Sequence, residues 1–110
     1  MFINTLTENT RTLYCDVLDF CKQNTNNKLC EILLEKVLKL DQKARHIYSG
    51  SCTQDVLLNL SEICLLCNDC VYLIKLLESK SELIKRFNSL SRLTKKHMNT
   101  FRQMLKDSEK

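Results

Sequence analysis

The stretch Cys64-Leu65-Leu66-Cys67-Asn68-Asp69-Cys70 is the most chemically suggestive in the chain. Thiolates three residues apart can bind zinc, which takes four thiolate or imidazole ligands in a tetrahedron, or can cycle as a redox pair. No fourth ligand lies nearby in sequence: Cys30, Cys52, His46 and His97 are all distant. The three thiols also fall in mid-helix, on the apolar face that carries Leu60 and Val71, and free cysteine packs as a small hydrophobe. They therefore read as core residues. No metal and no other cofactor is expected, and a cysteine-dependent metal or redox protein is kept only as a second alternative.

Catalysis has few other candidates. His46 and His97 are the only histidines and neither sits in a local Cys–His signature. One glycine, Gly50, excludes the usual glycine-rich phosphate loops. The chain reads as a non-enzyme. Seven cysteines with no secretory signal point to free thiols in a reducing, cytoplasmic setting. Cys15, Cys21 and Cys30 fall inside helical patterns and are expected to pack like the other three.

Charge is the second feature with functional content. Residues 1–78 carry eight Lys/Arg and ten Asp/Glu, a net of −2, whereas residues 79–110 carry nine and three, a net of +6; together these give the +4 of the whole chain. On a helical wheel Lys85, Arg92 and Lys96 lie opposite Phe87 and Met98, flanked by Lys95, Arg102 and Lys106. Charge runs are usually solvated faces, but these six residues also form a candidate surface for an acidic partner or anionic lipid. Nucleic acid is disfavoured, because besides His97 the helix offers for base stacking only phenylalanine in its core stripe.

These residues need elements to hold them. Absence of proline and a single glycine argue for long helices with few connections. A first helix is expected from near Thr5 or Thr7 to about Lys22, with Leu6, Thr10, Leu13, Tyr14, Val17, Leu18 and Cys21 inward. Asn24-Thr25-Asn26-Asn27 reads as a loop. The second helix carries Leu29, Leu33, Val37, Leu40, Ala44 and Ile47, with Glu35 and Lys39 paired one turn apart, and Gly50 ends it. The third, Cys52 to Leu77, places Val56, Leu60, Ile63, Cys67, Val71 and Ile74 on one face and Leu58, Leu65, Leu73 and Leu76 towards the other. A helix apolar nearly all round is central or lies in an interface, so the others are expected to cover it, with Leu60 fully buried. A break at Ser79-Lys80-Ser81, with Ser79 and Glu82 at capping-box spacing, precedes a fourth stripe of Leu83, Phe87, Leu90, Thr94, Met98, Phe101 and Leu105. The expected fold is all-α: one domain, an antiparallel up-and-down four-helix bundle.

Three segments carry a resemblance: Asn27-Lys28-Leu29-Cys30 with Leu33, Lys36-Val37 and Leu40; the run Val56 to Ile74; and Lys85-Arg86-Phe87-Asn88-Ser89-Leu90 with Leu93. Residues 27–105 resemble the helical-bundle domain of the mixed lineage kinase domain-like (MLKL) N-terminal region, of HeLo-like domains and of the Cbl N-terminal adaptors. The resemblance implies a signalling or adaptor module, often followed by a kinase-like or repeat domain. It implies protein partners, self-association and, in the MLKL branch, attack on the inner membrane leaflet in cell death. The alternative is a helical protein-interaction module with no membrane activity. Two features depart from the family: the link before the fourth helix is shorter, and the basic residues gather in the last helix rather than the first two.

Overall fold

The computed structural model describes residues 2–23, 27–47, 52–78 and 80–108. The expected loop at Asn24–Asn26, the stop at Gly50 and the cap at Ser79 lie outside the described residues. Four helices run in order: α1 (Phe2–Lys22), α2 (Lys28–Ile47), α3 (Thr53–Leu77) and α4 (Glu82–Ser108). Each packs on the next, and α1 closes loosely on α4. Cross-helix contacts fix the directions. Thr10 meets Asp41 and Cys21 meets Cys30; Lys43 meets Glu62 and Lys36 meets Asp69; Arg86 of α4 reaches back to Asp16 of α1. In α1–α2 and in α2–α3 the partner's number falls as the first rises, so both pairs are antiparallel, and the short link between Leu77 and Glu82 turns α4 back along α3, on which it packs. The cross-section of 23 × 21 Å is that of a two-by-two bundle, since packed helix axes lie about 8–10 Å apart.

Sequence and structure agree closely on which residues face inward. Leu33, Val37, Leu40, Leu60, Ile63, Ile74 and Phe87 are all fully buried, on the stripes expected from their spacing. The differences are local. Helix α1 begins at Phe2, not at Thr5 or Thr7. Leu6 is buried on the same stripe as Thr10 and Leu13, and keeping it there requires helix through both threonines. Asn27 caps α2, its side-chain oxygen accepting the Leu29 N–H at 2.9 Å. The break after α3 is present, with Glu78 extended at φ −157° and ψ 99°. Ser81 performs the capping: its hydroxyl accepts the Leu83 N–H at 3.2 Å. Glu35 and Lys39 do not pair among the described residues; the lysines of α2 turn instead to α3, Lys36 to Asp69 at 3.1 Å and Lys43 to Glu62 at 2.6 Å. Cys15 is exposed, so it is not the packing residue its helical setting suggests. Phe101 and Leu105 are only half-buried.

One polar group lies deep in the α1–α2 interface. Asp41 is buried, accepts the Thr10 hydroxyl at 2.8 Å and is ion-paired with Arg45. Arg45→Ala would strand a buried carboxylate. Breaking a buried pair costs about 3–5 kcal/mol, and the half-exposed Arg45 reduces that to roughly 1–3 kcal/mol. In Asp41→Leu/Arg45→Leu the Thr10 hydroxyl can donate to the Thr7 carbonyl, already 3.0 Å away. Most of the loss should therefore return, as read from denaturant midpoints of the three proteins. A double variant no better than Arg45→Ala would refute the stranded charge as the cause.

Candidate interaction surface

The thiols of α3 form a wall of the core. Cys64, Cys67 and Cys70 are buried. The Cys64 thiol lies 3.8 Å from the Ser91 carbonyl oxygen and 3.9 Å from the Met98 sulfur, holding α3 against α4. Burial pushes the Cys64 thiol up, while Ser91, Lys95 and Arg102 draw it partly back. Burial, then neighbouring Cys70 and Cys64, drives the Cys67 thiol further up. Burial, then Asp69, pushes Cys70 up to about 12. Burial, then Cys30, raises Cys21 to about 12. Nucleophilic and metal-binding chemistry both use the thiolate, the form these sites disfavour. Among the described residues no three or more His, Cys, Asp or Glu gather closely enough to hold a metal ion. His97 is half-buried, and burial, then Lys96, lowers its pKa.

The basic residues of α4 divide into two rows. Arg92 and Lys96 lie on the outer face and Lys85 at its edge, where it also lines the cleft between α1 and α4; all three are exposed. Lys85 approaches Glu82 at 3.6 Å, and Arg92 donates to the Ser89 hydroxyl at 3.3 Å. Lys95 and Arg102 turn towards α3 and line a cleft of about 420 Å³ with Ser61, Leu65, Asn68 and Asn99, floored by Cys64 and Met98. Lys106, exposed, continues this second row past the cleft. Arg86 belongs to neither, being ion-paired with Asp16. A second cleft of about 360 Å³ lies between α1 and α4, bounded by Asn9, Leu13, Arg86 and Leu93, where those helices pack least.

The largest departure from expectation is α3 itself. It is covered by α2 on one side and α4 on the other, and its third side is bare. Leu58, Leu65, Tyr72 and Leu76 are 59%, 63%, 65% and 55% exposed. In a two-by-two bundle no helix is central, so a helix apolar nearly all round must leave part of its apolar surface in water. The first three follow at intervals of seven residues, one ridge about 21 Å long on the rise of an α-helix. Lys36–Asp69 pairing sets Ile32, one turn earlier on antiparallel α2, level with Tyr72 and Leu76, and Ile32 is also exposed. On the α2 side of Leu65 a smaller cleft of about 230 Å³ is bounded by Lys39, Lys43, Glu62 and Leu66.

Charge and thiol content do not single out Tyr72 or Ile32. Their signal is the interval of seven, which Asp55, Glu62 and Asp69 repeat along the margin nearer α2. Among the described residues α3 is also the one helix long and apolar enough to cross a membrane, with 44% of its most apolar stretch buried in the bundle. Its apolar residues serve two faces. The buried set makes the core, and the exposed set makes the ridge.

Fold and ridge together define a small antiparallel helical bundle with one uncovered apolar face. No family model, no curated protein and no solved structure matches the chain.

Proposed function

We propose that this chain is a non-enzymatic helical-bundle interaction module that binds a protein partner through the outer face of α3. The exposed ridge of Leu58, Leu65, Tyr72 and Leu76 is the observation that carries this reading. Scattered apolar side chains on a surface are ordinary, whereas a contiguous apolar strip rimmed by polar residues marks a binding site. The strip has the form of a binding centre: an aromatic and several aliphatic anchors in line, with charged residues outside them.

Leu65→Asp/Tyr72→Asp should leave helicity unchanged and stability within about 0.5 kcal/mol, as surface substitutions do. Immobilised wild-type protein should retain a protein partner from an extract of the cells that make it, and the double variant should lose that partner. Retention unaffected by the double substitution would overturn the ridge as the binding face. The adaptor role implied by resemblance to the MLKL-type bundle, with self-association and binding to the inner leaflet, is tested on the same preparation. The exposed row Lys85, Arg92 and Lys96 is the feature that favours lipid. Co-sedimentation with anionic vesicles that is lost in Lys85→Glu/Arg92→Glu/Lys96→Glu would support the membrane role over the protein-binding one.

A further inference from the structure

The two margins of the α3 ridge differ in charge. On the α2 side Lys36 and Lys43 are neutralised by Asp69 and Glu62, leaving Lys39 beside Leu65. On the α4 side no carboxylate lines the cleft, while Lys95 and Arg102 both do. Arg102 donates to a neutral group, the Asn99 side-chain oxygen at 3.3 Å, and has no ion pair among the described residues. Lys95 has no ion pair among the described residues. Because α4 runs antiparallel to α3, Lys95 stands nearer the Asn68 end of the cleft and Arg102 nearer its Ser61 end, both beside Leu65. Seven residues separate them, about 10 Å along the helix.

We propose that the occupant of this face is an amphipathic helix of a partner protein, lying along α3. Its apolar stripe covers Leu58, Leu65 and Tyr72, and two carboxylates about two turns apart on one flank reach Arg102 and Lys95. The inference rests on the interaction-module reading and adds the chemistry of the partner. An apolar ridge between helices is matched by a helix with anchors at heptad spacing. The one-sided positive margin selects acid on a single flank of that helix, and so also selects its direction along α3.

The charges disfavour the other occupants. Two copies joined ridge to ridge by a two-fold axis, with their α3 helices antiparallel, would bring like margins together. Lys95 and Arg102 of one copy would then face the same cations of the other. With the α3 helices parallel, the positive margin would meet one whose carboxylates are already paired to lysines. An anionic leaflet, being flat, would gain attraction along the α4 margin alone, because on the margin nearer α2 Glu62 and Asp69 are paired to Lys43 and Lys36 and Asp55 offsets Lys39.

The test uses the full chain and three synthetic helical peptides. All share one heptad leucine stripe, and the residues seven apart on one flank are glutamate, glutamine or lysine. Fluorescence anisotropy at low and moderate salt gives the affinities. The glutamate peptide should bind roughly tenfold or more tightly than the glutamine peptide, the lysine peptide most weakly, and the preference should shrink with salt. Lys95→Glu/Arg102→Glu should abolish the preference. Lys85→Glu/Arg92→Glu/Lys96→Glu, a larger charge change on the outer face, should leave most of it.

Equal loss in both variants would mean a general field effect and would overturn the proposal. Equal affinity for all three peptides, lost in Leu65→Asp, would overturn it while leaving the interaction module standing. So would a concentration-dependent dimer that Leu65→Asp dissolves. If no peptide binds at millimolar concentration the proposal fails. If the chain then sediments with phosphatidylserine vesicles, the interaction-module reading fails with it.

Discussion

Phe87→Ala should remove about 3–5 kcal/mol of stability, the range for emptying a buried aromatic site. Phe87 is fully buried on the inward stripe of α4, between Leu83 and Leu90 one turn away on either side. Domains of this size have roughly 5–15 kcal/mol in all, so the variant should sit near the edge of folding. Urea titration followed by helical circular dichroism measures the loss. Two leucines of α3 calibrate it. Leu60 is fully buried and Leu65 is 63% exposed. Leu60→Ala should cost about 2–5 kcal/mol and Leu65→Ala no more than about 0.5 kcal/mol. Similar midpoints for all four proteins would mean that α3 and α4 do not bury the faces described.

The contrast between Leu60 and Leu65 shows where sequence was informative. Steps of three and four residues identify the inward face of a helix from the helix alone, so Leu33, Leu60, Ile63 and Phe87 could be placed correctly. Whether a second apolar face is covered depends on how many helices surround it. Periodicity within α3 has no access to that number, and a central helix and an edge helix carrying a binding ridge have the same pattern. Charge behaves similarly. The excess after residue 78 is a property of composition, but its division into an outer row and a row beside α3 depends on the side from which α3 approaches. Lys95 and Arg102 thus occupy a different setting from Arg92 and Lys96. Asp41 was hidden for another reason: a carboxylate beside Leu40 looks like a solvated residue until Thr10 arrives from another helix. Arg45, one turn on, was the local hint. The Ser81 cap was not legible either, because which hydroxyl meets the first N–H groups of α4 depends on the chain direction after Glu78.

Raising the pH should unfold the bundle through its buried thiols. The cysteines of the unfolded chain ionise near 9, whereas burial raises Cys70 to about 12 and Cys67 further. Above roughly pH 9 the unfolded chain therefore gives up protons that the folded chain keeps, and stability falls as pH rises. The contribution is fully present below pH 9 and is lost across the interval up to the folded-state values. Each such thiol removes about 1.4 kcal/mol per pH unit in that interval. Cys67 and Cys70 together should cost on the order of 5 kcal/mol between about pH 9 and 11, comparable with the lower range for a whole domain. Cys21, raised for the same reason, adds to the slope. Urea midpoints measured through this range, with thiolate absorbance recorded in parallel, should show unfolding and thiol ionisation occurring together. Cys67→Ala/Cys70→Ala should be less stable than wild type at neutral pH, because it opens space in the core, but should lose less as the pH rises. Lysine and tyrosine titration is common to both proteins and cancels in the comparison. An equal slope in the two would show that the α3 thiols ionise without leaving the core, and the buried setting described for Cys67 and Cys70 would have to be abandoned.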